Sequence, residues 1–206
     1  MGNTISLREG LKENFDTFFY GNKSEESLHD AEKENITTKP NCVKLMFIGP
    51  PSVGKTTFIN SYIKQEYSKS EPTMGVDYTV ISKNKIDYHI YDTTGIREYR
   101  HILCSYYSIA QTYIIMIEYC NINYKNIISD FYKDIMQYKR ASHKIHLIIN
   151  IKNTNKTSNN LDMSQYIVEM CRALDSKIII HTLDITNKDL MNNTMDNIFR
   201  ISAECL

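Results

Sequence analysis

Residues 49–56 read Gly-Pro-Pro-Ser-Val-Gly-Lys-Thr and match the pattern G-x-x-x-x-G-K-[ST], which decides the fold class. The apolar run 43–49 (VKLMFIG) before them is typical of a buried strand, and a helix is predicted over about 56–65. In such a loop, glycines let successive backbone N–H groups and a helix N-terminus face a phosphate. Lys55 is expected to reach the β- and γ-phosphates, and the Thr56 hydroxyl to bind Mg²⁺. The predicted phosphate-binding residues here are Gly49, Pro50, Pro51, Ser52, Val53, Gly54, Lys55, Thr56 and Thr57.

Short apolar runs alternate with helix-length segments over the rest of the chain. Further strands are predicted near 77–82, 86–91, 112–118, 144–150 and 177–182, and further helices near 125–139, 163–174 and 188–203. This alternation predicts a doubly wound α/β fold with a mostly parallel six-stranded sheet and helices on both faces. The hairpin around 83–85 supplies one antiparallel edge strand. In the last helix, Leu190, Thr194 and Ile198 share one face.

Composition limits both the domain organisation and the class of partner. The chain has 206 residues and a formal net charge of +0, which argues against a nucleic-acid binder. Its five cysteines are scattered without a CxxC pair, so neither disulfides nor a zinc site is indicated and a reducing, cytoplasmic setting is expected. Residues 21–41 have the polar, aperiodic composition of a linker, which places the globular domain at 42–206.

Two segments beyond the loop narrow the class of protein. Residues 71–78 (EPTMGVDY) precede the first hairpin strand, and Asp92-Thr93-Thr94-Gly95 follows the second. Together they resemble the switch regions of Ras-superfamily GTPases, and the Rab branch in particular. MGVDY resembles I-G-V-D-F, YDTTGIREYR resembles W-D-T-A-G-Q-E-R-F-R, and SYYSIA resembles S-Y-Y-R-G-A. The resemblance is clear over about 43–150.

The resemblance implies a switch that binds GTP or GDP with Mg²⁺. Thr73 would ligate the metal beside Thr56, Asp92 would hold it from the outer shell, and the Gly95 backbone N–H would contact the γ-phosphate. It also implies effector, exchange and GTPase-activating proteins as partners of a monomer. The implied effector surface consists of Met74, Gly75, Val76, Asp77, Tyr78, Tyr91 and Tyr106.

The implied base site departs from the family pattern. N-K-x-D of the family corresponds to Asn150-Ile151-Lys152-Asn153, so an amide replaces the carboxylate that accepts two hydrogen bonds from guanine. A mismatched buried hydrogen bond costs about 1–3 kcal/mol, which lowers the expected selectivity for guanine. The implied base-binding residues are Tyr67, Asn150, Lys152, Asn153, Thr182, Leu183 and Asp184.

A second departure concerns hydrolysis. The family has a glutamine after the switch glycine that orients the attacking water, whereas this chain has Ile96. An isoleucine side chain can neither donate nor accept a hydrogen bond, so slow GTP hydrolysis is predicted. Arg97 and Arg100 lie nearby, but the sequence assigns a catalytic role to neither, and no catalytic residue is predicted.

The N-terminus, residues 1–20, suggests attachment to a membrane. Residues 1–6 (MGNTIS) fit M-G-x-x-x-[ST], which predicts N-myristoylation of Gly2. An amphipathic helix is predicted behind it, and would supply the second anchor that a single acyl chain lacks. This layout resembles the N-terminus of Arf-type GTPases. The apolar face of the helix consists of Leu7, Leu11, Phe15, Phe18 and Phe19.

Three functions are compatible with these patterns. The leading hypothesis is a divergent Rab-like GTPase, a trafficking switch on the cytosolic face of an endomembrane or the plasma membrane. The second is a pseudo-GTPase that serves as a membrane-tethered binding scaffold, which Ile96 and Asn153 favour. The third is a P-loop ATPase, which leaves the two switch motifs unexplained.

Overall fold

The fold is known from a computed structural model, which describes residues 41–67, 69–119, 123–139, 142–151 and 160–206. Several predictions lie outside these residues. They are the N-terminal arm with Gly2, most of the linker, and the base-binding residues Lys152 and Asn153.

Six strands and five α-helices alternate through the described part of the chain. The strands are β1 (Asn41–Ile48), β2 (Val76–Lys83), β3 (Ile86–Thr93), β4 (Thr112–Glu118), β5 (Lys144–Asn150) and β6 (Ile179–Leu183). The helices are α1 (Lys55–Lys64), α2 (Cys104–Ile109), α3 (Tyr124–Tyr138), α4 (Asn160–Leu174) and α5 (Lys188–Ser202). Two 3₁₀-helices cover Arg97–Leu103 and Ala203–Cys205. None of these described helices is long and apolar enough to span a membrane.

The strands form one six-stranded sheet in the order β2-β3-β1-β4-β5-β6. Strand β2 is antiparallel to β3, and each of the other neighbouring pairs is parallel. The predicted doubly wound α/β fold with one antiparallel edge strand is therefore confirmed. The hairpin turns at Asn84 and Lys85, whose φ values of 53° and 62° allow the tight two-residue connection that the strand twist favours.

Each face of the sheet is covered by a different set of helices. On one face, Ile128 of α3 and Ile167 of α4 pack against β4 and β5 residues such as Ile115 and Leu147. On the other, Phe58 of α1 and Ile198 of α5 pack against the opposite side of the strands. The central strands are apolar on both sides because both sides are buried.

Two local expectations are corrected. Residues 97–109, for which no helix was predicted, form the first 3₁₀-helix and α2. In α5, Ile198 is buried as part of the core face, but Leu190 is 46% exposed. The core side of that helix instead presents Met191, Met195, Ile198 and Phe199. The helix is therefore rotated by about one residue from the predicted face.

A buried pair of histidines joins β5 to β6. His146 is fully buried, and its Nδ1 lies 2.9 Å from Nε2 of His181, with the rings stacked at a centroid distance of 5.2 Å. Burial lowers the pKa of His146 to about 3 and that of His181 to about 4. The charge of each neighbouring group, His181 and Lys144, further disfavours protonation of His146. The folded domain therefore holds both rings neutral.

This pair predicts acid sensitivity of the fold. An unfolded histidine binds a proton near pH 6.5, whereas these two bind it only at lower pH when folded. The free energy of unfolding should therefore fall as the pH drops from about 6.5 towards 4, by up to roughly 1.4 kcal/mol per pH unit for each histidine.

Urea unfolding at a series of pH values measures this slope. Replacing both His146 and His181 by leucine should flatten it, whereas His101→Gln at an exposed position should leave it unchanged. An equal slope in the double variant and the parent chain would contradict the assignment.

Candidate functional site

Two glycines let the loop between β1 and α1 turn tightly against its neighbours. Gly49 has a φ of +145°, and a Cβ there would lie 2.2 Å from the backbone oxygen of Met116 in β4. Gly54, with a φ of +101°, precedes α1, and its Cβ would lie 2.6 Å from Cδ1 of Ile185. Any larger residue at Gly49 would push the loop off β4. The predicted phosphate-binding loop thus has the backbone geometry that its motif requires.

Lys55 is folded back over this loop. Its side chain is buried, and Nζ donates to the carbonyl oxygens of Gly49 at 3.0 Å and Pro50 at 2.9 Å. Burial lowers the pKa of Lys55 to about 8, while the negative charge of Asp92 opposes this shift. A cation is therefore already placed at the loop, where a phosphate group would bind.

Three oxygen-bearing side chains meet beside the start of α1. The Thr56 hydroxyl donates to Oδ2 of Asp92 at 2.5 Å and lies 2.8 Å from the Thr73 hydroxyl, which is 3.2 Å from the same carboxylate oxygen. Burial raises the pKa of Asp92, and the hydrogen bond from Thr56 opposes that shift. The other oxygen of Asp92, Oδ1, is buried and has no hydrogen-bond partner among the described residues.

These oxygens fit a magnesium ion. Hydroxyl and carboxylate oxygens are ligands that Mg²⁺ accepts, usually together with water and phosphate oxygens. A buried carboxylate oxygen without a partner is costly, and a hydrated cation would satisfy it. The predicted metal-binding residues Thr56, Thr73 and Asp92 are thus brought together, although they come from α1, the segment before β2 and the end of β3.

The segment after β3 lies directly on the phosphate loop. A Cβ on Gly95 would be 2.2 Å from the backbone nitrogen of Pro51 and 2.3 Å from the carbonyl carbon of Pro50. The Thr94 N–H donates to the carbonyl oxygen of Gly75 at 2.7 Å, which ties this segment to the one before β2. The second predicted switch segment is therefore in backbone contact with the first segment and with the phosphate loop.

A cavity of about 310 Å³ opens between these segments. Predicted residues on its wall include Gly54, Lys55, Thr56, Thr57 and Tyr67. Five further lining residues were not among the predicted site residues, although two of them belong to the predicted switch segment 71–78: Lys69, Ser70, Glu71, Pro72 and Ile185. The first four connect α1 to Thr73, so their proximity in sequence to a metal-binding residue was the available signal.

Asn150, the last residue of β5, links the phosphate loop to the segment after β6. It is fully buried, its Nδ2 donates to the carbonyl oxygen of Val53 at 3.0 Å, and its Oδ1 accepts from the Ile185 N–H at 3.4 Å. Asn150 thus holds β5, the phosphate loop and the segment after β6 together, at the edge where the strands end and ligands bind in such sheets.

The remaining predicted base-binding residues have different surroundings. The Leu183 side chain belongs to the buried core, so only its backbone is available to a ligand. Asp184 Oδ1 accepts from both the backbone N–H and the hydroxyl of Thr186, at 2.9 and 2.7 Å. Thr182 is exposed at the end of β6.

The three predicted effector-surface tyrosines form a continuous stripe. The ring centroids of Tyr78 and Tyr91 are 5.4 Å apart, and those of Tyr91 and Tyr106 are 5.5 Å apart. Tyr91 is buried, whereas Tyr78 is 47% exposed and Met74, in the segment before β2, is 70% exposed. We call Tyr78, Tyr91 and Tyr106 the aromatic stripe.

The arginines after Ile96 are directed away from the cavity that Lys55 lines. Arg100 forms an ion pair with Asp134 of α3, and its guanidinium lies 5.0 Å from the ring centroid of Phe131. Arg97 and Arg100 line a second cavity of about 240 Å³ beside α3. Ile96 lies on the walls of both cavities.

This fold and loop define a P-loop protein of the Ras-like GTPase class. The family model described as "Ras of Complex, Roc, domain of DAPkinase" matches residues 44–157, more than half of the chain. The chain therefore belongs to this family of Ras-like domains, within the Ras superfamily of small GTPases, and its curated relatives place it close to the Rab branch.

Three of these relatives are Rab proteins. The chain is 33% identical to "Ras-related protein Rab-7B" of Dictyostelium discoideum over 38% of its own length and 40% of that protein. It is 33% identical to Rab-3C of Bos taurus over 52% of itself and 49% of the relative. It is 30% identical to Rab-3B of Rattus norvegicus over 60% of its own length and 57% of that relative. The chain thus spans about half the length of the curated relatives it matches.

Proposed function

We propose that this protein is a Rab-like small GTPase, a switch in vesicle trafficking that binds GTP or GDP with Mg²⁺. The observation that carries the proposal is that Lys55, Thr56 and Thr73 line one cavity, with the buried carboxylate of Asp92 hydrogen-bonded to both threonines. A protein that bound no Mg²⁺-nucleotide would have no need to collect these four side chains from three separate segments.

Each residue has a defined task in this proposal. Lys55 and the loop N–H groups bind the phosphates, and the hydroxyls of Thr56 and Thr73 hold the metal with support from Asp92. The metal, when bound, neutralises the charge on the phosphate oxygens. Because Thr73 lies in the segment before β2, a bound metal and nucleotide would add ligand bonds to its hydrogen bonds with Thr56 and Asp92 and so hold that segment more firmly.

Slow hydrolysis follows from the side chain at position 96. Ile96 lines the cavity but offers no hydrogen bond to an attacking water. Arg100 is already paired with Asp134, so it is not free to supply a positive charge to the phosphates. The chain therefore lacks, at these two positions, a group that positions water or stabilises the transition state, and it remains in the GTP state for longer than its relatives.

Partner proteins would recognise the ordered state through the aromatic stripe and the neighbouring residues Met74, Gly75, Val76 and Asp77. The aromatic stripe and the first switch segment are connected through the chain, because β2, which carries Tyr78, begins at Val76, three residues after Thr73. A change in the position of Thr73 is thus transmitted to the surface that effectors contact. Exchange and GTPase-activating proteins would act on the same segments.

Membrane attachment through Gly2 completes the proposal. A myristoyl group alone binds membranes only reversibly, and the amphipathic pattern behind it supplies a second apolar anchor. The protein would then act at the cytosolic face of an endomembrane or the plasma membrane.

The nucleotide that accompanies the purified full-length chain tests the central proposal. After denaturation, chromatography of the supernatant should show GDP or GTP at close to one equivalent. ATP would favour a P-loop ATPase, and an empty site would favour a binding scaffold without a switch.

In titrations, GTP should bind more tightly than ATP or xanthosine triphosphate. Lys55→Ala should weaken GTP binding by about 10- to 150-fold, because it removes a charged partner of the phosphates. Lys64→Ala, which removes the same charge at the exposed end of α1, should not.

Replacing Ile96 by glutamine tests the account of hydrolysis. Ile96→Gln restores an amide that can orient water, so single-turnover hydrolysis should accelerate about tenfold or more, equivalent to about 1.4 kcal/mol. Ile102→Gln, at an exposed isoleucine of the adjacent 3₁₀-helix, is the matched control and should not change the rate. An unchanged rate in Ile96→Gln would refute the role given to Ile96.

Replacing Gly2 tests the anchor. In cells that contain N-myristoyltransferase, Gly2→Ala should move the chain from the membrane fraction to the supernatant, because the acyl acceptor amine must belong to glycine. Asn3→Ala changes a position that the pattern leaves open and should stay membrane-bound. Equal membrane fractions for the two variants would show that the acyl group is not the anchor.

A further inference from the structure

Tyr78, the most exposed ring of the aromatic stripe, is tied to a histidine that the sequence analysis did not single out. The hydroxyl of Tyr78 lies 2.5 Å from Nδ1 of His89, and the two ring centroids are 5.7 Å apart. Tyr78 pairs with Tyr91 across the β2–β3 ladder, and His89 pairs with Val80. Tyr78 and His89 are therefore diagonal neighbours on one face of the hairpin.

The position of Tyr78 explains why such a bond matters. Strand β2 is at the edge of the sheet, so Tyr78 has a neighbouring strand on only one side. A half-exposed ring in that setting exchanges rotamers unless something fixes it, and each rotamer that is frozen on binding lowers affinity. The hydrogen bond to His89 and the contact with Tyr91 hold the ring in one orientation before a partner arrives.

The surroundings of His89 determine which atom donates. Lys44 lies beside His89 in β1, Asp87 lies two residues away in β3, and the Asp87 carboxylate accepts from Ser82 at 2.6 Å. Burial and the charge of Lys44 lower the pKa of His89, and Asp87 opposes them. The imidazole is therefore neutral at pH 7. The phenol, which is a stronger acid than a neutral imidazole N–H, is the better donor to a bare Nδ1, and the imidazole proton then sits on Nε2.

We propose that His89 is a positioning residue of the proposed partner-binding surface: it fixes the Tyr78 ring and takes up its hydroxyl proton, so that the Tyr78 oxygen can serve a partner only as an acceptor. The partner that this surface fits presents an apolar or aromatic side chain to the stripe together with an N–H or O–H donor for the Tyr78 oxygen. This inference rests on the proposed function only in taking the stripe as the surface that partners contact.

The hydrogen bond is tested on the full-length chain by histidine ¹⁵N NMR over a pH range. Neutral His89 should show an unprotonated Nδ1. Tyr78→Phe should raise the proton-binding constant of His89 by about 2- to 10-fold, because the lost bond stabilised only the neutral ring. Tyr106→Phe removes a hydroxyl from the other end of the stripe and should leave the constant unchanged. A proton on Nδ1, or equal constants in Tyr78→Phe and the parent chain, would overturn the proposal.

Positioning is tested by ring mobility. In His89→Asn, Oδ1 lies close to the place of Nδ1 and can accept the bond, whereas His89→Leu keeps the bulk without an acceptor. Tyrosine ¹³C relaxation should show the Tyr78 ring rigid in the parent chain and in His89→Asn, and mobile in His89→Leu. Equal mobility in all three would overturn the role of His89.

The partner chemistry is tested with indole and N-methylindole as probes. Indole carries a ring and one N–H donor, and methylation removes the donor alone. Indole should shift the Tyr78 and His89 resonances at about 2- to 10-fold lower concentration than N-methylindole. Equal potency, or no shift at Tyr78, would overturn the predicted partner. These measurements need no nucleotide, so their failure would leave the GTPase proposal standing, and an empty nucleotide site would leave the His89–Tyr78 bond standing.

Discussion

The close approach of three backbone segments is the constraint on which the site depends. The phosphate loop passes so near β4 at Gly49, and so near the segment after β3 at Gly95, that a single Cβ at either glycine would lie 2.2 Å from a backbone atom. Backbone atoms cannot swing aside as a side chain can. The loop, the end of β4 and the start of the second switch segment are therefore located by each other, and the side chains that they carry are brought together as a consequence.

The closely packed segments also enclose two charged side chains of the site. Lys55 and Asp92 are both buried, and burial alone would favour the neutral form of each. Each partly offsets the other, and loop carbonyls and threonine hydroxyls satisfy most of their remaining polar atoms. The oxygen Oδ1 of Asp92 is the exception. A site that buries a cation and an anion within electrostatic reach of each other, with one acceptor left over, suits the proposed ligand, because a magnesium-bound phosphate carries both signs of charge.

The sequence predicted the features that depend on local chemistry. All six strands were predicted to within two residues of their observed ends. For the central strands the signal was strong because strands buried on both faces are apolar throughout. The resemblance to the switch motifs implied one metal site for Thr56, Thr73 and Asp92, and the structure brings these three side chains together. The contact of His146 with His181 was missed, because it depends on the register of β5 against β6. His89 was missed for a similar reason, because its contact with Tyr78 depends on the register of β2 against β3. The helices at 97–109 were not predicted, because each is too short to show the helical repeat of apolar residues.

In the proposed switch, different atoms would sense the nucleotide and turn it over. Backbone atoms join the two switch segments to each other, through the Thr94 N–H and the Gly75 carbonyl, and place Gly95 against the Pro50–Pro51 peptide of the loop. The Thr73 hydroxyl adds side-chain contacts with Thr56 and Asp92. None of them uses the side chain at position 96. Turnover, by contrast, requires a polar side chain near the attacking water, and that position is occupied by isoleucine. Because the two properties rest on different atoms, replacing the glutamine of the family costs the proposed enzyme speed without removing the contacts through which a bound phosphate would order both segments. In the proposed switch, a long-lived active state would be the physical consequence, and its duration would be set by nucleotide exchange and by partners more than by the chain's own chemistry.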